Sequence, residues 1–227
     1  MECIVLAGGL GTRLSSVVSD VPKCMAPVAG KPFLEHILLF FESQFVDHVI
    51  FSLGYKSEVI VEYLRGKAYT FKTSWVIEQE PLGTGGGIRR ALAKSREQQV
   101  FVLNGDTMFQ VDLRQMQRNF RQGYKAMLAL KPMQHFERYG AVKLAADSTI
   151  EAFEEKKLQT EGLINGGVYL INKMLANLDV YPEKFSFEKD FLEPETLNGS
   201  LQGYVSDTYF IDIGIPEDYY KAQEDFK

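Results

Sequence analysis

Three glycines stand within four positions, Gly8, Gly9 and Gly11; Thr12 and Arg13 follow at once, and Pro22-Lys23 comes after a polar run. Glycines placed directly after an apolar run let backbone N–H groups approach an anion that a Cβ would hold away. Arg13 offers a planar fork suited to phosphate oxygens, and Lys23 is a compact point charge. Together they would hold a triphosphate and offset charge on a phosphorus under attack. Two familiar phosphate loops are excluded. Nothing matches G-x-x-x-x-G-K-[ST], and Gly9-Leu10-Gly11-Thr12-Arg13-Leu14 puts leucine where G-x-G-x-x-G needs its last glycine. A tight turn with two surface cations explains the glycines alone, but not the whole combination.

Further groups could join this chemistry. Asp106 ends the apolar run Val100 to Asp106, and Asp212 ends the run in "FIDIG". Open α/β sheets bind ligands at that edge, and Mg²⁺ is commonly held by one or two carboxylates plus phosphates. A helix cap or a turn explains either aspartate as well. In "EQEPLGTGGGI" a helix start is crowded with glycine, which is costly there; close approach of a flat ligand is one reason for it. Glu80 can accept two hydrogen bonds from a guanine edge, N1–H and the 2-amino group together, which favours guanine over cytosine or uracil. Glu155-Lys156 in "FEEKK" reads equally as exposed mixed charge. His36, His48 and His135 form no cluster with each other or with Cys3 and Cys24, so zinc is not expected. No G-x-S-x-G elbow is present.

The elements that must position these groups alternate in the first half. Cys3 to Ala7 is a continuous apolar run and reads as a buried strand. Phe33, Leu34, Ile37, Leu38, Phe41 and Phe45 recur at helical spacing, with Pro32 as first helical position. Strands follow at His48 to Tyr55, Ser74 to Gln79 and Val100 to Asp106. Helices lie between them at Ser57 to Leu64 and from Thr84, as cap, to about Lys94. This predicts an α/β fold: a Rossmann-like, doubly wound, mostly parallel mixed sheet. The second half reads mostly as strands, with short helices near Met174, Ser186 and Pro216, forming a mixed extension of the sheet plus a small β lobe.

At 227 residues, 45% hydrophobic and 24% charged, the chain suits one globular domain. A net charge of −5 without a basic run argues against nucleic-acid binding. Two cysteines without a CxxC pair fit a reducing cytoplasm. No run is long and apolar enough for a membrane helix, and the N-terminus does not read as a signal peptide.

"GGLGTR…PK" resembles the signature of the sugar-1-phosphate nucleotidylyltransferases. That resemblance implies a nucleotide-diphospho-sugar transferase fold, with residues 1–110 mainly serving a nucleotide and residues 111–227 mainly a sugar phosphate. It also implies a nucleotide site at Leu6, Ala7, Gly8, Gly9, Gly11, Thr12, Arg13, Lys23, Glu80, Gly83 and Thr84. Arg13, Lys23 and Asp106 would be catalytic. Asp106 and Asp212 would hold Mg²⁺, and Gly105, Gly140, Glu155, Lys156 and Asn165 would bind a sugar phosphate. Where many members read P-K-P, this chain has Cys24 after Lys23. "EPLGTGG" is similar both to guanylyltransferases and to uridylyltransferases acting on muramic-acid phosphates. Longer blocks, among them "RYGAV", "GLINGGVYLI", "KFSFEKDFL" and "YFIDIGIPEDYY", resemble the branch acting on D-glycero-α-D-manno-heptose 1-phosphate with GTP in bacterial surface-glycan synthesis. Mannose 1-phosphate with GTP, N-acetylmuramate 1-phosphate with UTP, and a nucleotide-sugar sensor without activity stay open as alternatives. The oligomeric state is also open, a homodimer included.

Overall fold

A buried six-residue strand, Glu2–Ala7 (β1), sits in the middle of the sheet. The structure, a computed structural model, describes residues 1–9, 14, 17–18 and 21–227. After a turn at Lys23–Met25 come the short strands Pro27–Val28 (β2) and Lys31–Pro32 (β3), then helix Phe33–Ser43 (α1). Pro32 proves to be the residue just before that helix rather than its first member. The alternation continues with His48–Leu53 (β4), Ser57–Arg65 (α2), Lys72–Ile77 (β5), Gly83–Leu92 (α3) and Gln99–Asn104 (β6).

The second half contributes Thr107–Phe109 (β7), Leu113–Asn119 (α4), Ala126–Phe136 (β8), Ala141–Leu144 (β9) and Ile150–Phe153 (β10). It continues through Gln159–Asn172 (β11), Lys173–Ala176 (α5), a π-helical turn Phe187–Leu192, and Glu193–Leu197 (α6). Leu201–Val205 (β12), Phe210–Asp212 (β13) and Pro216–Asp225 (α7) complete it.

Among the described residues, nine strands form one mixed sheet. β5, β4, β1 and β6 lie side by side and parallel; β11 then joins β6 antiparallel and carries β8 and β9, with β12 parallel to β8. Side chains of β1 alternate between two apolar layers. Cys3, Val5 and Ala7 join the layer of α1, α2, α4 and α7, whereas Ile4 joins the layer of α3 and the π turn. Covering both faces in this way is what an apolar, non-alternating strand requires. Phe136, Ala141 and Ile164 form a small separate core under the β9–β10 end.

The topology fixes where a ligand can bind. From β1 the chain winds outward through β4 to β5, then crosses back to place β6 on the other flank of β1. The order reverses between β1 and β6, and a crevice opens beyond the carboxyl ends of such neighbours. Leu6 pairs with Asn104 at that edge, and the Gly105 N–H donates to the Leu6 carbonyl at 2.9 Å. A Cβ on Gly105 would meet that carbonyl at 2.8 Å. Gly8-Gly9 and Asn104-Gly105-Asp106 therefore leave the sheet side by side.

Candidate active site

Asp106 and Asp212 are far apart in sequence and are brought together by two strands of three residues each. β7 pairs antiparallel with β13, setting Thr107 opposite Asp212. The Ile213 N–H donates to the Asp106 carbonyl at 3.0 Å and extends the pairing by one step. The Thr107 hydroxyl donates to Asp106 Oδ1 at 3.2 Å, and the Gly214 N–H donates to Asp212 Oδ1 at 2.7 Å.

Lys23 meets both acids. Its Nζ lies 2.5 Å from Asp106 Oδ2 and 3.6 Å from Asp212 Oδ1, with the lysine side chain only 12% exposed. The turn that carries it is anchored by buried Cys24 and Met25. Burial pushes the Cys24 thiol up to about 12, with the charge of Asp106 adding to the effect, so this cysteine stays protonated. A Cβ on Gly214 would lie 2.8 Å from Asp212 Oδ1 and 2.9 Å from Lys23 Nζ. A side chain at position 214 would therefore have to displace both charged ends.

Two hollows open on either side of this cluster. One, of about 640 Å³, is walled by Leu6, Gly8, Gly9, Glu80, Gly83, Thr84 and Asp106, among others. The other, of about 440 Å³, is walled by Lys156, Asn165, Arg138, Tyr139, Thr107 and Asp212, among others. Asn104 and Glu188 belong to both walls. Volumes of this size suit small-molecule ligands. The expected nucleotide residues Leu6, Gly8, Gly9, Glu80, Gly83 and Thr84 thus face one hollow, and Lys156 and Asn165 face the other. Ala7 is buried beneath the first. Glu155 is exposed and, like Gly140, lies outside both walls. A Cβ on Gly140 would meet the Glu154 carbonyl at 2.5 Å, so that glycine serves packing of the β9–β10 end. Gly11, Thr12 and Arg13 lie outside the described residues.

The glycines of α3 have a different cause from the one expected. A Cβ at Gly83 would meet the Phe185 carbonyl at 2.4 Å, one at Gly85 the Phe185 ring at 2.2 Å, and one at Gly86 the Glu183 carbonyl at 2.5 Å. The segment around Phe185, not a flat ligand, occupies that space. Phe185 also exchanges backbone hydrogen bonds with this region: its N–H donates to the Leu82 carbonyl, and its carbonyl accepts from the Gly85 N–H, both at 3.0 Å. Thr84 does not cap the helix. Its hydroxyl accepts from the Phe187 N–H at 2.9 Å and donates to Glu188 Oε2 at 2.6 Å. Glu78 fixes the loop that presents Glu80, accepting from the Leu82 N–H and the Ser52 hydroxyl, each at 3.0 Å.

Asn165 sits where β11 bulges. Its Oδ1 accepts from the Gly167 N–H, and its Nδ2 donates to the Tyr169 hydroxyl, each at 3.0 Å. Gly167 has φ +70°, and a Cβ there would strike Asn104 Nδ2 at 2.7 Å. Arg138 pairs with Asp218 of α7 and donates to the Tyr139 hydroxyl at 3.1 Å. Burial pushes the Tyr139 phenol up to about 12, and Asp212 adds to that shift. Asn104, Arg138, Tyr139, Glu188 and Gly214 were not singled out from sequence. Arg138, Tyr139, Glu188 and Gly214 nonetheless fall inside the blocks "RYGAV", "KFSFEKDFL" and "YFIDIGIPEDYY".

The residues fit a magnesium ion by the chemistry of their donors. Two adjacent carboxylates already gather a cation between them, and Mg²⁺ needs few protein ligands when phosphates and water complete its shell.

The chain is similar to known proteins over its whole length. The nucleotidyl transferase family profile matches residues 2–227. The D-glycero-alpha-D-manno-heptose 1-phosphate guanylyltransferase of Aneurinibacillus thermoaerophilus is 51% identical, across 100% of this chain and 99% of that protein. Its namesake in Campylobacter jejuni subsp. jejuni serotype O:2 is 46% identical over 97% of each chain. The crystal structure of HddC from Yersinia pseudotuberculosis complexed with GMP-PN superposes with a TM-score of 0.90 at 39% identity, covering 100% of this chain and 99% of that one.

Proposed function

The chain belongs to the nucleotidyl transferase family, and from that premise we propose that it transfers the guanylyl group of GTP to D-glycero-α-D-manno-heptose 1-phosphate, giving GDP-heptose and pyrophosphate. The observation that carries this reading is the seam between the hollows. Lys23, Asp106 and Asp212 form a charge cluster there, with the hollow walled by Glu80 on one side and the hollow walled by Lys156 on the other.

The attacking atom is an oxygen of the sugar phosphate, already ionised at neutral pH, so no general base is needed. Its new bond forms to the α-phosphorus of GTP as the bond from that phosphorus to the bridging oxygen breaks, and pyrophosphate leaves. Two polyanions must be held in line, and positioning with charge neutralisation supplies most of the acceleration. Glu80 accepts from the guanine N1–H and 2-amino group. Lys23 offsets charge at the α-phosphate, joined by Arg13. Lys156 holds the phosphate of the sugar. Mg²⁺, held by Asp106 and Asp212, would supply further neutralisation of the phosphates. Leu6, Gly8, Gly9, Gly11, Thr12, Gly83 and Thr84 complete the nucleotide side, and Asn165 the sugar side.

Among the described residues no helix is long and apolar enough to cross a membrane. We place the enzyme in the cytoplasm, where GTP is available. The test is pyrophosphate release across a panel of sugar 1-phosphates, each with GTP, UTP, CTP and dTTP. Heptose 1-phosphate with GTP should give the highest kcat/KM. Faster turnover of mannose 1-phosphate with GTP, or of N-acetylmuramate 1-phosphate with UTP, would overturn the assignment.

A further inference from the structure

We infer that Glu188 is a specificity-determining residue that accepts hydrogen bonds from ring hydroxyls of the sugar 1-phosphate. This deepens the function proposed above and rests on it. Glu188 stands on the π-helical turn Phe187–Leu192, whose Phe187, Phe191 and Leu192 are buried. Phe187 stacks on Phe191 at 5.0 Å and meets Tyr169 edge-on at 5.3 Å. Tyr169, hydrogen-bonded to Asn165, forms part of the wall of the sugar-side hollow. The carboxylate is therefore carried by the same aromatic cluster that builds that wall.

Its two oxygens differ in their partners. Oε2 accepts from the Thr84 hydroxyl at 2.6 Å and the Ser186 hydroxyl at 3.1 Å. These contacts fix the rotamer and leave Oε1 for a ligand. Among the described residues no lysine, arginine or histidine pairs with Glu188. It nevertheless lines both hollows, at the place where two phosphate-bearing ligands must meet. An anion set there repels phosphate and can be satisfied only by a donor. The sugar ring brings several hydroxyl donors to this wall. Of the other polar groups there, Lys156 is assigned to the phosphate, Arg138 is paired with Asp218, and Asn165 already spends its Oδ1 and a donor of its Nδ2 within its bulge. Glu188 is half-buried, and a sugar that covers it without turning a hydroxyl toward Oε1 would leave that oxygen without a donor, a penalty that discriminates between substrates.

The experiment compares wild type, Glu188→Ala and Glu188→Gln, with thermal melts to check folding. Steady-state kinetics are measured on whichever sugar 1-phosphate the wild type turns over best, with GTP and with 2′-deoxy-GTP. Should that sugar not be the heptose, the substrate assignment falls while the Glu188 comparison still stands. Glu188→Ala should raise KM for the sugar phosphate ~10–100-fold, the scale of a hydrogen bond to a charged group. KM for GTP should stay within assay scatter. Glu188→Gln, which keeps an acceptor oxygen but loses the charge, should fall between. Unchanged KM for the sugar phosphate would overturn the inference. So would a rise confined to GTP with loss of discrimination against 2′-deoxy-GTP, which would put the carboxylate on the ribose. A parallel rise for both substrates with a lowered melting temperature would also overturn it, reducing Glu188 to an anchor for Thr84.

Discussion

Replacing Lys23 by methionine should lower turnover and tighten metal binding at the same time. The lysine reaches Asp106 at 2.5 Å and Asp212 at 3.6 Å, and the three side chains are 12%, 32% and 26% exposed. Exposed pairs are worth under about 1 kcal/mol, and breaking a fully buried one costs about 3–5 kcal/mol. At this intermediate burial the loss should be about 1–2 kcal/mol. For a chain of this size that lowers Tm by about 2–8 °C. The same cation competes with any metal for the two carboxylates. Without it, Mn²⁺ affinity of the nucleotide-free protein should rise ~5–30-fold, the equivalent of that energy. Turnover should fall ~10²–10³-fold, because one preorganised charge stabiliser is gone. Calorimetric titration with Mn²⁺, melts with and without the ion, and pyrophosphate release read these three quantities separately. Near-normal turnover would remove Lys23 from the chemistry. Unchanged or weaker Mn²⁺ binding would show that Asp106 and Asp212 are not the metal ligands.

Three further outcomes are expected. Glu80→Gln should reduce selectivity for GTP by ~1–3 kcal/mol, the scale of one discriminating base contact, read as the ratio of kcat/KM values across four triphosphates; equal use of all four by the wild type would end that idea. Gly214→Ala should push Asp212 and Lys23 out of place, the added carbon meeting them at 2.8 and 2.9 Å, and lower kcat ~10–100-fold while the far-ultraviolet circular dichroism stays native. Stability should decline in acid. Burial alone would raise the carboxyls of Glu2, Glu35 and Glu195, but hydrogen bonds outweigh it and hold all three below the usual 4.5. The partners are the backbone N–H groups of Glu97 and Arg96 with His48 for Glu2; Tyr63, Tyr69 and Lys67 for Glu35; and Lys125, Ser200 and Asn198 for Glu195. Depressed folded-state values mean that their stabilisation is complete above about 4.5 and lost as pH falls through those values. Tm should therefore be flat near neutrality and drop below pH ~4.5, with a shallower drop in Glu35→Gln.

The parts legible in the sequence were those with a local signal. The apolar run at Cys3 to Ala7, the helical spacing from Phe33 to Phe41, and the glycines at Gly8 and Gly9 each announce themselves within a few neighbours. The triad Lys23, Asp106 and Asp212 could be named through resemblance to known motifs, but its geometry could not. That geometry depends on β7 and β13, strands too short to show periodicity, whose pairing spans half the chain. The glycines of α3 read in sequence as room for a ligand, because the Phe185 segment that fills their space is distant in sequence. Thr84 resembles a helix cap for the same reason; its partners Phe187 and Glu188 are remote. Glu155 and Glu154 are indistinguishable in "FEEKK". Only the fold shows Glu154 tied to Lys143 and Lys157, with Glu155 left in solvent.

The pairing of β7 with β13 also has a consequence for biosynthesis. A ribosome completes the glycine loop, β1, β4, β5 and β6 long before it reaches Asp212. Contacts of such sequence separation form late, so a nascent chain acquires its second acid, and with it the complete charge cluster, only once residue 212 has been made.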